Sequence, residues 1–228
     1  MFGFLKSNKS DLEIARKKGK KIVHLLHIGK TGGTVIKDAL RAHTDLANGV
    51  LIFHNHDFKL KDCLLGEKVV FFLRDPITRF VSGFHSRKRQ GKPRYNSPWT
   101  ASENVAFANF NSANQIAENL TNDNGQHAMN SIEHVKTHFS DWLGDIDYYK
   151  SRKDDILFVG FLETLNEDFE KLITILNLPP HLQLSTDPVK AHKNIDSNET
   201  LSELSIANLK DWFSEDYNFI KTINLLKK

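Results

Sequence analysis

One stretch limits what this chain can fold into more than any other. A mostly apolar run from Lys21 to Ile28 enters a turn made of Gly29, Lys30, Thr31, Gly32, Gly33 and Thr34, and a helical pattern from Val35 to His43 leaves it. The glycines let the turn adopt backbone angles that other residues resist, and they let N–H groups approach a ligand closely. The helix start that follows offers unpaired N–H donors and the positive end of a dipole, which suit phosphate or sulfate. Lys30 adds a positive charge, and Thr31 and Thr34 add hydroxyls. A P-loop would carry glycine where this chain has His24, so the Walker pattern is incomplete. The alternative to an oxyanion cradle is a glycine-rich strand-to-helix turn with a solvated lysine.

A second stretch adds weight to the cradle. Val69 to Leu73 is a continuous apolar, β-favouring run, as expected of a strand buried on both faces. Arg74 stands at its carboxyl end, Asp75 is a natural N-cap and Pro76 a natural first helical residue. The following helix carries Arg79, Ser82 and Arg87. Arginine is suited to a bidentate grip on phosphate, so Arg74 and Ser82 are candidates for a second anion. Runs at 21–28, 49–53, 69–73 and 155–159 read as strands, with helices after the first, third and fourth. That alternation predicts an α/β fold: a single domain over 21–228 with a mostly parallel central sheet flanked by helices and a P-loop-like strand-loop-helix, preceded by a basic tail over 1–20.

The pair Gly29-Lys30-Thr31-Gly32-Gly33-Thr34 and Arg74-x-x-x-x-Arg79-x-x-Ser82, with Pro76 two residues after the first arginine, resembles the phosphosulfate and 3′-phosphate motifs of sulfotransferases that use 3′-phosphoadenosine 5′-phosphosulfate (PAPS). Val159-Gly-Phe-Leu-Glu163 looks like the family's late strand-helix unit. The His54-Asn-His56 element brings the chain closest to the carbohydrate 2-O-sulfotransferase branch, in a bacterial form. The resemblance implies that Gly29 to Thr34 hold the phosphosulfate, with Lys30 stabilising the leaving phosphate. It gives Arg74 and Ser82 the 3′-phosphate, and Lys193 in a late loop a contact with the nucleotide. His56 becomes the catalytic base, with His54 supporting it or acting as its rival. It implies a carbohydrate or other hydroxylated acceptor, 3′,5′-ADP as product and no metal.

Composition sets the outer bounds. The chain has 228 residues, 39% of them hydrophobic, enough for one sizeable core. A net charge of +3 does not point to nucleic acid, and it suits a highly anionic donor. The single cysteine, Cys63, leaves no intrachain disulfide, and no apolar stretch is long enough to span a bilayer. These features together predict a cytoplasmic enzyme. Phe2, Phe4 and Leu5 ahead of the basic run Lys17 to Lys21 suggest either weak contact with an anionic membrane surface or a frayed, solvated terminus.

The region 87–126 reads as an insertion at the acceptor side. Its basic run from Arg87 to Arg94, with Tyr95 and Trp99, is available for sulfates and sugar rings, or forms a solvated loop. His127, His134 and His138 lack the glutamate and acidic ligands of a zinc motif. Two other classes stay open at this level: a nucleotide kinase on a degenerate P-loop, and a non-catalytic nucleotide-binding module.

Overall fold

The structure is a computed structural model that describes residues 9–187 and 199–226. Helix α1 (Lys9–Lys17) precedes strand β1 (Ile22–Leu25), helix α2 (Gly33–Leu40), the short strand β2 (Asp45–Leu46), β3 (Gly49–Phe53) and β4 (Lys68–Leu73). Helices α3 (Pro76–Lys88), α4 (Ala101–Asn109), α5 (Ala113–Glu118), α6 (Asp123–Ser131), α7 (Ser140–Leu143) and α8 (Ile146–Ser151) follow. The chain then forms β5 (Ile156–Phe161), α9 (Leu165–Ile175), α10 (Glu203–Trp212) and α11 (Ser214–Leu226).

The sheet order is β2-β3-β1-β4-β5, parallel throughout except for the β2–β3 pair. The mostly parallel α/β sheet expected from the alternation is therefore present. The chain passes from β1 to β3 on one side and then crosses to β4 on the other. The order of the parallel strands thus reverses between β1 and β4. Crevices at the carboxyl ends of such a switch point are where α/β sheets bind ligands, and the glycine turn leaves β1 there. β1 is buried at every residue, including His24, and β4 is apolar and buried from Val69 to Leu73.

The chain packs as two compact units rather than around one core. Of the described residues, one contains those up to Leu73 and Asp141–Thr186, and the other Arg74–Ser140 with Asp187 and residues 199–226. The first unit holds the sheet. The segment expected to be a basic tail is helical from Lys9 to Lys17, and its Leu12 and Ala15 bury themselves against Ile22 and Ile52. An amphipathic stripe too short to stand out in the sequence finds its partner across the sheet face. Lys17, Lys18, Lys20 and Lys21 remain exposed.

The second unit is helical and has an aromatic-rich core that includes Phe80, Phe84, Phe107, Ile116, Ile132 and Phe213. Side-chain caps from Asp75, Thr100, Ser112, Asn122 and Ser202 satisfy the first N–H groups of α3, α4, α5, α6 and α10.

The first residue of the basic run at the head of 87–126 is committed inside this unit, whereas Lys92 is exposed. Arg87 is 4% exposed and donates from Nε to Glu103 Oε1 at 2.6 Å and from Nη2 to Oε2 at 2.7 Å. Trp99 donates its indole N–H to the Arg87 carbonyl at 2.6 Å and stacks on Phe107. Tyr95 stays exposed.

Candidate active site

The turn after β1 is built as the sequence suggests, with one unexpected feature. Gly32 caps α2 with φ 84°, and Lys30 also takes a left-handed φ of 67°. For a lysine that conformation costs about 1–3 kcal/mol, and such strain gathers where a backbone is held for binding. Gly32 has no side chain to accept from the first N–H groups of α2, which have no partner within the helix. The Thr31 hydroxyl, 1% exposed, donates to the Ile28 carbonyl at 2.9 Å and holds the turn closed. Gly33 must lack a side chain for a different reason. A Cβ there would lie 2.6 Å from Cδ2 of His27, whose ring covers the helix start. The residues present therefore fit an oxyanion: a cap without a side chain at a helix N-terminus, next to a lysine.

Two histidines follow β3, and their roles divide sharply. They do not share one face, because the strand ends at Phe53 and the chain turns. His54 is 6% exposed, stacks on Phe58 and approaches Nδ1 of His24 through its Nε2 at 2.8 Å. His24 Nε2 lies 2.8 Å from Glu67 Oε2, and Arg16 grips the same carboxylate through Nε at 2.8 Å and Nη2 at 2.7 Å.

A carboxylate only accepts, so His24 donates from Nε2 and accepts at Nδ1, and His54 donates from its Nε2. Burial first, and then the charges of His24, Lys37 and Arg16, push His54 down to about 3. Burial likewise lowers His24 despite the opposing pull of Glu67. Burial by itself would raise Glu67, but bonds from Arg16, the Leu64 amide and His24 hold its carboxyl at about 2. The chain Arg16–Glu67–His24–His54 is thus an ionised pair ending in two neutral rings. His54 is part of the interior.

His56 is exposed. Its Nδ1 lies 2.9 Å from the His27 carbonyl, and its ring stacks on His27 at a centroid distance of 4.0 Å. The carbonyl can only accept, so Nδ1 carries the proton and the lone pair of neutral His56 lies on Nε2. Trp142 donates its indole N–H to the His56 carbonyl at 2.9 Å, fixing the backbone as well.

In the second unit, Asp75 caps α3 by accepting from the Thr78 amide at 2.9 Å and takes the Tyr217 hydroxyl at 2.8 Å. Arg74, half-buried, donates from Nε to Thr78 Oγ1 at 2.9 Å. Ser82 lies on α3 at 8% exposure. Arg79, the middle arginine of the motif, is 1% exposed and directs its guanidinium to the carbonyl and hydroxyl of Thr137, over the Phe139 ring. It ties α3 to the segment at Thr137 and Phe139. Lys193 lies outside the described residues. His138 faces Asp216 at 3.2 Å, and among the described residues no group of three or more His, Cys, Asp or Glu is placed to hold a metal.

With this geometry in view, the profile of the Sulfotransferase family matches residues 14–222. The chain belongs to the sulfotransferase family. The match runs from within α1 to within α11, so the turn, the histidines and the Arg74 helix all lie inside the matched stretch. No curated protein and no solved structure matches the chain. Membership makes this a transferase of sulfuryl groups and replaces the nucleotide-kinase alternative. No helix among the described residues of this sulfotransferase is long and apolar enough to cross a membrane.

Sequence reasoning missed His24, Glu67, Arg16, His27 and Lys37. A histidine inside an apolar strand run and a lysine on the apolar stripe of α2 were the available signals.

Proposed function

We propose that this sulfotransferase moves a sulfuryl group from PAPS to a hydroxyl of a carbohydrate, with His56 as general base. The observation that carries the reading is the fixed form of His56: its Nδ1–H is tied to the His27 carbonyl, which places the lone pair of the neutral ring on Nε2, the atom a general base uses. Sulfuryl transfer, like phosphoryl transfer, asks a protein mainly to position donor and acceptor and to stabilise charge on the leaving group.

The N–H groups at the start of α2 and the strained Lys30 would stabilise the leaving phosphate. Gly29, Thr31, Gly32, Gly33 and Thr34 would shape that cradle, and Arg74 with Ser82 would hold the 3′-phosphate. Lys30 takes the charge-neutralising role that a metal fills elsewhere, so the reaction would proceed without one. His54, neutral and hydrogen-bonded inside the fold, is set aside as the base.

The carbohydrate acceptor follows from the resemblance of His54-Asn-His56 to the 2-O-sulfotransferase branch. Buried Cys63, its thiol pushed up to about 12 by burial, is compatible with action in a reducing cytoplasm. Transfer of ³⁵S from labelled PAPS to a panel of uronic-acid and neutral polysaccharides is the test. Labelling of one polysaccharide that disappears with His56→Ala is the expected result. Labelling of none of them, with turnover only on small phenols, would refute the carbohydrate assignment.

A further inference from the structure

Behind the two stacked histidines lies a cation that the transfer chemistry does not itself use. Lys37 sits on the stripe of α2, with Gly33, Ile36 and Leu40, that turns inward, and it is 5% exposed. An ammonium buried without acceptors would be very costly. Here it has two, His27 Nδ1 at 2.8 Å and the His54 carbonyl. Burial still draws the Lys37 amine down to about 8, with Asp38 opposing, so the ammonium predominates at neutral pH.

Two consequences follow from the acceptors. An ammonium has only donors, so His27 must accept at Nδ1 and carry its ring proton on Nε2. The same ammonium also joins the segment after β1 to the segment after β3. Those are the segments that meet at His56, through the His27 carbonyl and through the chain from His54.

We propose that Lys37 is a positioning residue for the transfer reaction: by locking the tautomer of His27 and clamping His27 to His54, it sets His56 where it can accept a proton. This rests on the reading of His56 as general base. A methionine at 37 would fill much the same space but leave the His54 carbonyl without its donor and let His27 exchange tautomers. The stacked His56 would then lose a fixed neighbour. A displacement of about 1 Å at a reacting group can cost about a hundredfold in rate.

The test combines a spectrum of the unmodified enzyme with a cycle of variants. In long-range ¹H–¹⁵N spectra of ¹⁵N-histidine enzyme at pH 7, His27 is expected protonated at Nε2 and His56 at Nδ1. A proton on Nδ1 of His27 would overturn the proposal without any substitution, so the outcome does not depend on a variant folding. Turnover is then read as 3′,5′-ADP released from PAPS, and donor-site affinity as the Kd of 3′,5′-ADP.

Lys37→Met should lose about tenfold to a hundredfold in turnover while its 3′,5′-ADP affinity stays within about threefold, and it should cost nothing further in a His56→Ala background. Full turnover in Lys37→Met beside a crippled His56→Ala overturns the proposal and leaves the base intact. Normal turnover in His56→Ala removes the base reading, and the proposal falls with it.

Discussion

Replacing Arg87 by methionine separates two readings of the basic run after α3. The sequence offers Arg87 to sulfates of an acceptor, whereas the structure spends its guanidinium on Glu103, on Ser97 and on the Pro98 carbonyl. Methionine has similar reach and no charge. It would leave the Glu103 carboxylate, 0% exposed, with only the amides of Thr100 at 2.9 Å and Glu133 at 3.0 Å. Breaking a buried pair from one side costs about 3–5 kcal/mol, a large part of the roughly 5–15 kcal/mol that holds a domain folded.

The pH dependence has a definite sign. Burial alone would raise Glu103, but Arg87 and the two amides hold it below its ordinary 4.5. Without Arg87, burial prevails and the carboxyl rises, so the folded variant takes up a proton more readily than its unfolded chain. Its deficit should therefore narrow as pH falls from 7 toward 4.5. Urea unfolding followed by tryptophan fluorescence suits the measurement, because Trp99 bonds to Arg87 itself. A loss below about 1 kcal/mol combined with abolished polysaccharide sulfation would refute the structural role and return Arg87 to the acceptor.

Arg74→Ala should weaken 3′,5′-ADP about ten- to 150-fold, the worth of a charge-assisted contact, while 5′-AMP binding barely changes. Equal loss of both nucleotides in calorimetry would contradict the 3′-phosphate assignment. Lys30→Ala should damage turnover and 3′,5′-ADP affinity together, and wild-type activity should survive EDTA. An added requirement for Mg²⁺ would mean that the turn works differently. Stability should fall as pH drops from 6.5 toward 3, because the unfolded chain binds protons that neutral His54 and His24 refuse. Thermal melting that is flat between pH 6.5 and 4.5 would show that this cluster opens to solvent.

The sheet was legible because its signals are local. Val69 to Leu73 can hardly be anything but a buried strand, and Asp75-Pro76 marks the start of α3 as the structure has it. The glycine turn was legible for the same reason. What escaped is non-local. Arg16 and Glu67 are 51 positions apart and meet only because α1 docks on the sheet. His24 was read as the residue that spoils a P-loop, whereas it links the His54 ring to the Glu67 carboxylate. Lys37 shares the apolar stripe of α2, which was sufficient to mark it as buried but not to name its acceptors. Arg87, Tyr95 and Trp99 looked alike as surface chemistry. Glu103 and Phe107, from α4, set apart buried Arg87 and partly buried Trp99 from exposed Tyr95.

Strand β4 pairs with β5 through Val69 and Ile156, roughly 90 residues later in the chain. During synthesis at about 5–20 residues per second, the second edge of β4 waits about 5–15 s for its neighbour to leave the ribosome. In that interval Val69-Val-Phe-Phe-Leu73 is an uncharged, proline-free segment with an open row of backbone donors and acceptors, the kind that templates intermolecular pairing. The nascent polypeptide must therefore pass through a stage in which its most aggregation-prone strand is half-paired. Yield from a cell should depend on translation speed across residues 74–155 and on holdase chaperones more than on the stability of the finished protein.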